Sequence, residues 1–191
     1  MSYTNQYLSE VSRITRKLKS REIEEMALRL GQLTPHARIF FLGLGGSAAN
    51  ASHAVNDFRK LCGIESYCPS DNIAELTAIA NDLGWQYIYR EWLKESHLGN
   101  LDALFILSVG GGKGVISLPL IEAIDYAKSI GTPIFGIVGR DGGITKSRGD
   151  HVIVIPIIHK DRVTPHTEAF QSVILHLLVS HPLLQKNKTK W

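Results

Sequence analysis

Cysteine is scarce in this chain: Cys62 and Cys68 are the whole complement. Their spacing fits neither a C-x-x-C redox pair nor a zinc ribbon, and two cysteines build no disulfide framework. They read as free thiols in a reducing compartment. Long apolar runs are missing too. No window approaches the roughly 18 apolar residues of a membrane helix, and the opening segment "MSYTNQYLSEVSRITRKLKS" has no apolar core of the signal-peptide kind. The expectation is a cytoplasmic protein with no membrane partner. Charge of one sign is also lacking. The formal net charge is +3, and the tail "QKNKTKW" alone holds three lysines. The body is near neutral, without the dense basic face that nucleic acid requires, so no nucleic-acid partner is expected. Internal repeats and low-complexity tracts are absent.

What remains is a globular composition, 44% hydrophobic and 20% charged over 191 residues, enough for one domain with a sizeable core. Residues 2–32 carry Leu8, Val11, Ile14, Leu18, Ile23, Met26, Leu28 and Leu30 at helical spacing, with a break near Ser20. Thr34-Pro35 ends that unit. "ARIFFLG" (37–43) is a short apolar run of the buried-strand type, followed by a helix over 47–62 with Ser47 placed to cap it. "IESYCP" (64–69) is a short strand candidate, and Ser70 or Asp71 can cap a helix through "NIAELTAIAND". "WQYIYREWLKESH" gives another helix, whose Trp85, Tyr87, Tyr89 and Trp92 read as packing between helices or subunits. Further strands are "LDALFILSV" (101–109), "TPIFGIVG" (132–139) and "DHVIVIPI" (150–157). A helix ending at Gly131 lies between the first two. A last helix covers 164–181, with Thr164 at its N-cap and Pro165 at its first position. Strands alternating with helices predict an α/β domain with a parallel sheet. Residues 185–191 are expected to fray.

Two strands end in glycine-rich turns, "GLGGSAAN" and "SVGGGKG". Ligands of an open parallel sheet bind beyond the carboxyl ends of its strands. Glycines there expose backbone N–H groups, and a following helix N-terminus favours an anion. Gly43 to Ala48 also reads as G-x-G-x-x-A, a permitted dinucleotide fingerprint, with Glu65 near the place of an acidic ribose partner. Glu65 would begin its strand rather than end it, which counts against a nucleotide-linked oxidoreductase. A plain strand–helix turn with no ligand is the third reading.

The ordered set "GLGGSAANASHAVNDF", "AIANDLGW", "LFILSVGGG", "GIVGRDGG" and "TEAFQSVILH" resembles the SIS (sugar isomerase) phosphoheptose isomerases over nearly the whole chain. The resemblance implies a flavodoxin-like parallel sheet flanked by helices, preceded by an N-terminal helical hairpin in a single domain. Residues 1–34 would join the last helix in a homotetramer's central bundle, with active sites at subunit interfaces. It implies interconversion of sedoheptulose 7-phosphate and D-glycero-D-manno-heptose 7-phosphate, for bacterial lipopolysaccharide or capsule. Gly45, Gly46 and Ser47 match the first phosphate loop, and Asn81 and Asp82 match the family's "GND". Ser108, Gly110, Gly111, Gly112 and Lys113 stand where the family has STSGNS. Asp161 matches an acidic residue near the sugar. His53 and His176 match two histidines, while Asp57 stands for a glutamate and Glu168 for a glutamine.

His53, Asp57, Glu168 and His176 form a donor set suited to zinc or a similar divalent ion, one per active site. His53 and Asp57, four apart, share one helix face. Glu168 and His176, eight apart, lie roughly 12 Å apart along a helix axis and meet only if both side chains lean inward. His166 is a reserve ligand. An aldose–ketose isomerase needs a base for the carbon-bound proton and a group that carries protons between oxygens. The resemblance gives the first role to Asp57 and the second to His176. Glu168 as base with Asp57 as ligand is the alternative. Ser47, Ser108, the N–H groups of Gly110 to Gly112 and the charge of Lys113 would hold the phosphate. A non-catalytic SIS module that binds a sugar phosphate or a protein is the competing class.

Overall fold

In a computed structural model of the chain, residues 1–188 are described. Five parallel strands form one sheet: β1 (Ile39–Gly43), β2 (Ser66–Tyr67), β3 (Ala103–Ser108), β4 (Ile134–Val138) and β5 (His151–Val154). Their order is β2-β1-β3-β4-β5. Chain direction across the sheet reverses between β1 and β3, so the glycine-rich turns after these two strands flank the switch point where such sheets bind ligands. Every residue of β1, β3 and β4 is buried, which is why these segments read as continuous apolar runs.

Alternate residues of each strand face two separate cores. Phe41, Phe105 and Phe135 stack across neighbouring strands, with centroids 5.0 and 6.1 Å apart. They pack with Ile14 of α1 (Tyr3–Lys17), Met26 of α2 (Ser20–Gly31), Ala54 of α3 (Gly46–Asp57) and Ile174 of α8 (Val163–Val179). Phe40, Leu42, Leu104 and Ile106 face the other way. They meet Ile79 of α4 (Ile73–Asp82), Trp92 of α5 (Ile88–Glu95) and Ile124 of α6 (Leu118–Ser129). The short α7 (Gly143–Arg148) follows β4.

Several predicted boundaries move. Ser47 does not cap α3; Gly45, at φ 62°, holds that position without a side-chain bond. The helix expected to reach residue 62 changes winding at Phe58–Cys62, a π-helical turn closed by left-handed Gly63. Asn72, rather than Ser70 or Asp71, caps α4. Arg162, not Thr164, precedes α8. The tail is anchored at its start, where the N–H groups of Lys186 and Asn187 both donate to the Leu61 carbonyl at 2.9 Å. Residues 189–191, also part of the expected frayed tail, lie outside the described residues.

A buried ion cluster ties the first helix to the last. Glu10 of α1 accepts from Arg162 Nη2 at 2.6 Å and pairs with His166 Nε2 at 2.9 Å. The Arg162 guanidinium, opposed by burial and aided by His166, pulls the Glu10 carboxyl from 4.5 down to about 2. A depressed carboxylate stabilises the fold fully above its unfolded value, and this is lost as pH falls through the folded value. Glu10→Gln should therefore lower the Tm at neutral pH, and its deficit against the unsubstituted protein should shrink between pH 4.5 and 2. Thermal unfolding by circular dichroism across that range checks this. A deficit that stays constant with pH would rule it out.

Candidate active site

Helices α3 and α8 lie side by side and run in the same direction, joined rung by rung. At the N-terminal end, the Glu168 carboxylate lies over Gly46, so closely that a Cβ there would stand 2.6 Å from Glu168 Cδ. One turn on, Asn50 Nδ2 donates to the Glu168 carbonyl at 2.9 Å and to Gln171 Oε1 at 3.0 Å. Ser172 Oγ donates to Asn50 Oδ1 at 2.9 Å. Gln171, fully buried, also accepts from Ser47 Oγ at 3.1 Å and donates to the Ile137 carbonyl at 3.2 Å.

The far rung joins two imidazoles and a carboxylate. His53 Nε2 lies 3.1 Å from Asp57 Oδ2, and His176 Nε2 lies 3.3 Å from His53 Nε2 and 3.6 Å from Asp57 Oδ2. One ligand atom from each of the three falls within 4.8 Å of the others. Asn56 Nδ2 donates to Asp57 Oδ1 at 3.0 Å, which turns Oδ2 toward the rings. The Asp57 side chain is 10% exposed, against 60% for His53 and 56% for His176, so the cluster has a buried floor and an open mouth. Two ring nitrogens at this separation require a proton or a cation between them. With a carboxylate oxygen beside them they fit a divalent ion such as zinc, with coordination positions left for substrate.

Glu168 does not join this group. It stands two helical turns from His176, roughly 12 Å along the axis. Its carboxylate meets the N-terminal end of α3, where unpaired N–H groups and the helix dipole favour negative charge. Ser47, expected to offer its hydroxyl to a phosphate, is buried and donates it to Gln171.

The second loop is also internally bonded. Ser108 Oγ accepts from Gly111 N–H at 3.0 Å, and the Gly111 carbonyl accepts from Thr145 Oγ1 at 2.9 Å. Gly111 is left-handed at φ 68°, and a Cβ there would stand 1.9 Å from the Gly142 carbonyl oxygen, so no other residue fits. The Gly112 carbonyl accepts from Ile144 N–H at 2.8 Å. Lys113 Nζ pairs with Asp141 at 2.9 Å, and with Gly143 N–H it holds the Asp141 carboxyl below the usual range. Tyr89 reaches across from α5 and donates to the Gly43 carbonyl, fixing the end of β1. Burial raises the Tyr89 hydroxyl far above its usual pKa, so it stays a donor.

Within one protomer Asn81 and Asp82 are not brought to the imidazoles. They end α4, which packs on the opposite face of the sheet, and Asn81 Nδ2 donates to Asp82 at 2.8 Å. Asp161 is exposed in the 3-10 turn Lys160–Arg162, 4.0 Å from His159 Nδ1. His166 pairs with Glu10, away from the metal-type cluster. Glu65 precedes β2 and bonds the Tyr67 hydroxyl, at the end of the strand remote from a nucleotide. Sequence reasoning passed over Asn50, Asn56 and Gln171, and read Tyr89 as packing alone. Only Asn50 and Asn56 carried a signal, as polar residues on the helix that bears His53.

No protein-family profile matches the chain. Phosphoheptose isomerase of Helicobacter hepaticus is 30% identical over 146 residues, which span 74% of this chain and 70% of that protein. The chain belongs to the phosphoheptose isomerase family. The Fusobacterium nucleatum phosphoheptose isomerase is 29% identical over 168 residues, 83% of this chain and 80% of that one. Among solved structures, phosphoheptose isomerase GmhA from Neisseria gonorrhoeae superposes with a TM-score of 0.79, covering 92% of this chain and 94% of that one. At 22% identity, that likeness speaks for the fold. Family membership makes the chain an isomerase with the sugar isomerase fold.

The geometry separates the candidate ligands. His53→Ala and His176→Ala should each lower the metal content of protein purified without a histidine tag, whereas Glu168→Gln should leave it unchanged. Elemental analysis by mass spectrometry reads this directly; metal lost from the Glu168 variant would restore Glu168 to the donor set.

Proposed function

We propose that the protein interconverts sedoheptulose 7-phosphate and D-glycero-D-manno-heptose 7-phosphate, a step toward the heptose of bacterial lipopolysaccharide or capsule. The observation that carries this reading is the convergence of His53, Asp57 and His176 from two helices, in a chain of this family. A divalent ion, zinc or similar, would be held by these three residues and would supply Lewis-acid stabilisation of the charge developing on the sugar oxygens.

In the ketose-to-aldose direction a proton leaves C1 and a proton is added at C2, while hydroxyl protons shift from O1 to O2. Asp57 is the base for the carbon-bound proton, through the carboxylate oxygen that does not hold the ion. Asn56 orients it, and it sits on the buried floor of the cluster. His176, whose Nε2 faces Asp57 Oδ2 at 3.6 Å in the donor set, carries the proton between O1 and O2 through its other ring nitrogen. Aspartate is one methylene shorter than the glutamate this position resembles, so the sugar must approach α3 closely. For Glu168 to act as base, its carboxylate would have to leave Gly46 and cross roughly two helical turns.

A homotetramer with interfacial active sites is part of the reading. Leu8 of α1 and Val173 and Leu177 of α8 support it, as apolar side chains left exposed on the first and last helices. A cytoplasmic setting is supported by two free, buried cysteines.

Heptose 7-phosphate should form when the protein is incubated with sedoheptulose 7-phosphate, followed by NMR. Asp57→Asn should lower kcat by about 100- to 10,000-fold, the usual range for removing a general base. Glu168→Gln should stay within about tenfold of the unsubstituted enzyme by the same reasoning. The reverse ranking would exchange the two roles, and no turnover with any C5 to C7 ketose phosphate would favour a sugar-phosphate-binding module.

A further inference from the structure

The far ends of α3 and α8 are tied together by the chain that follows α8. α3 runs on into the π-helical turn Phe58–Cys62, and a helix end leaves its last carbonyls without partners in the helix. The C-terminal segment supplies donors for two of them. The N–H groups of Lys186 and Asn187 both reach the Leu61 carbonyl at 2.9 Å, and Asn187 Nδ2 reaches the Lys60 carbonyl at 2.9 Å. Gln185 Nε2 donates to the Asn187 carbonyl at 3.2 Å, which stiffens the segment. Its root is the end of α8. His181 N–H donates to the Leu178 carbonyl at 3.0 Å and Leu184 N–H to the His181 carbonyl at 2.9 Å, while the Leu184 side chain is buried in the core. The chain thus leaves one helix and closes the other.

This clamp stands about one helical turn beyond the imidazole cluster, past Asp57 on α3 and past His176 on α8. On the near side of the cluster, Asn50 and Gln171 hold the same two helices together. The cluster lies between the two ties, and its imidazoles need them. The side chains of His53 and His176 are more than half exposed, so few neighbours fix the rings and their separation follows that of the helices. That separation is exacting. Ligand atoms about 2.1 Å from a tetrahedral ion stand about 3.4 Å from one another. The three candidate atoms lie 3.1, 3.3 and 3.6 Å apart. A shift of more than about 0.2 Å takes a donor out of its bonding range. We infer that Asn187 is a positioning residue for this cluster: by closing the carbonyls of Lys60 and Leu61 it fixes the spacing of α3 and α8 at His53, Asp57 and His176. The inference rests on the reading of those three side chains as ligands of a divalent ion. The start of a tail expected to fray becomes part of the frame of the site.

The test uses cobalt(II) as probe, because its visible absorption reports coordination geometry as well as occupancy. Affinity is read by competition with a chelator on the full-length chain. Asn187→Pro removes the backbone N–H and the amide donor together; Asn187→Ala removes the side-chain donor alone. Asn187 is exposed, so neither change disturbs the core. Cobalt should bind about tenfold more weakly to the proline variant, the lower end of what losing support behind a metal ligand costs. The alanine variant should lose a smaller factor. In both, the absorption bands should change in position or intensity. Equal affinity with an unchanged spectrum in the proline variant overturns the inference and leaves the ion reading standing. So does a lowered Tm with affinity intact, which would make the clamp a support of the fold alone. Should the proline variant fail to fold, the alanine variant decides by the same two readings. An unsubstituted protein that binds no cobalt overturns the ion reading itself, and this inference with it.

Discussion

The buried amide of Gln171 is the constraint on which the site depends. Its oxygen accepts from Ser47 and Asn50, and its nitrogen reaches the β4 backbone at Ile137. Each buried polar atom left without a partner would cost about 1–3 kcal/mol, so α8 has one favourable register against α3 and the sheet. That register places Glu168 over Gly46 and His176 beside His53 and Asp57. Sliding α8 by one turn would break these hydrogen bonds and part the two imidazoles together. Structural and chemical roles thus share two helices: their mutual face is bonded shut, and their outer end carries the reactive groups.

Charge is distributed unevenly along this seam. A carboxylate sits at the start of α3, and two imidazoles and a second carboxylate sit near its end. Glu168 already meets the α3 N-terminus, the place where a helix would otherwise attract an anion. The glycine loop after β3 has its own hydrogen bonds closed by Ser108, Thr145 and Ile144. These facts follow from one principle, that buried donors and acceptors must be matched within the fold before any are left for a ligand.

Much of the architecture was legible because its signals are local. "IFFLG" and "ALFILS" are strands buried on both faces, and their apolar continuity needs no tertiary information. The helical hairpin at the start was equally plain from its spacing. The boundaries that moved are those where capping depends on neighbours. Ser47 looks like a cap until Gln171 takes its hydroxyl, and β2 shrinks to Ser66–Tyr67 at the sheet edge. The pairing of His53 with Asp57 was readable from a four-residue step on one helix. The pairing of either with His176 was suggested only by resemblance, since 123 residues separate the rings.

By itself the sequence determined the class of fold, the order of its elements, the two glycine-rich turns and the residue types on offer, because periodicity and turn chemistry are written in consecutive residues. Only the tertiary structure decided which carboxylate stands with the imidazoles and which hydroxyls are already engaged. Those outcomes depend on how α8 lies against α3 and the sheet. That docking is set by hydrogen bonds between residues more than a hundred positions apart, a relation no local pattern records.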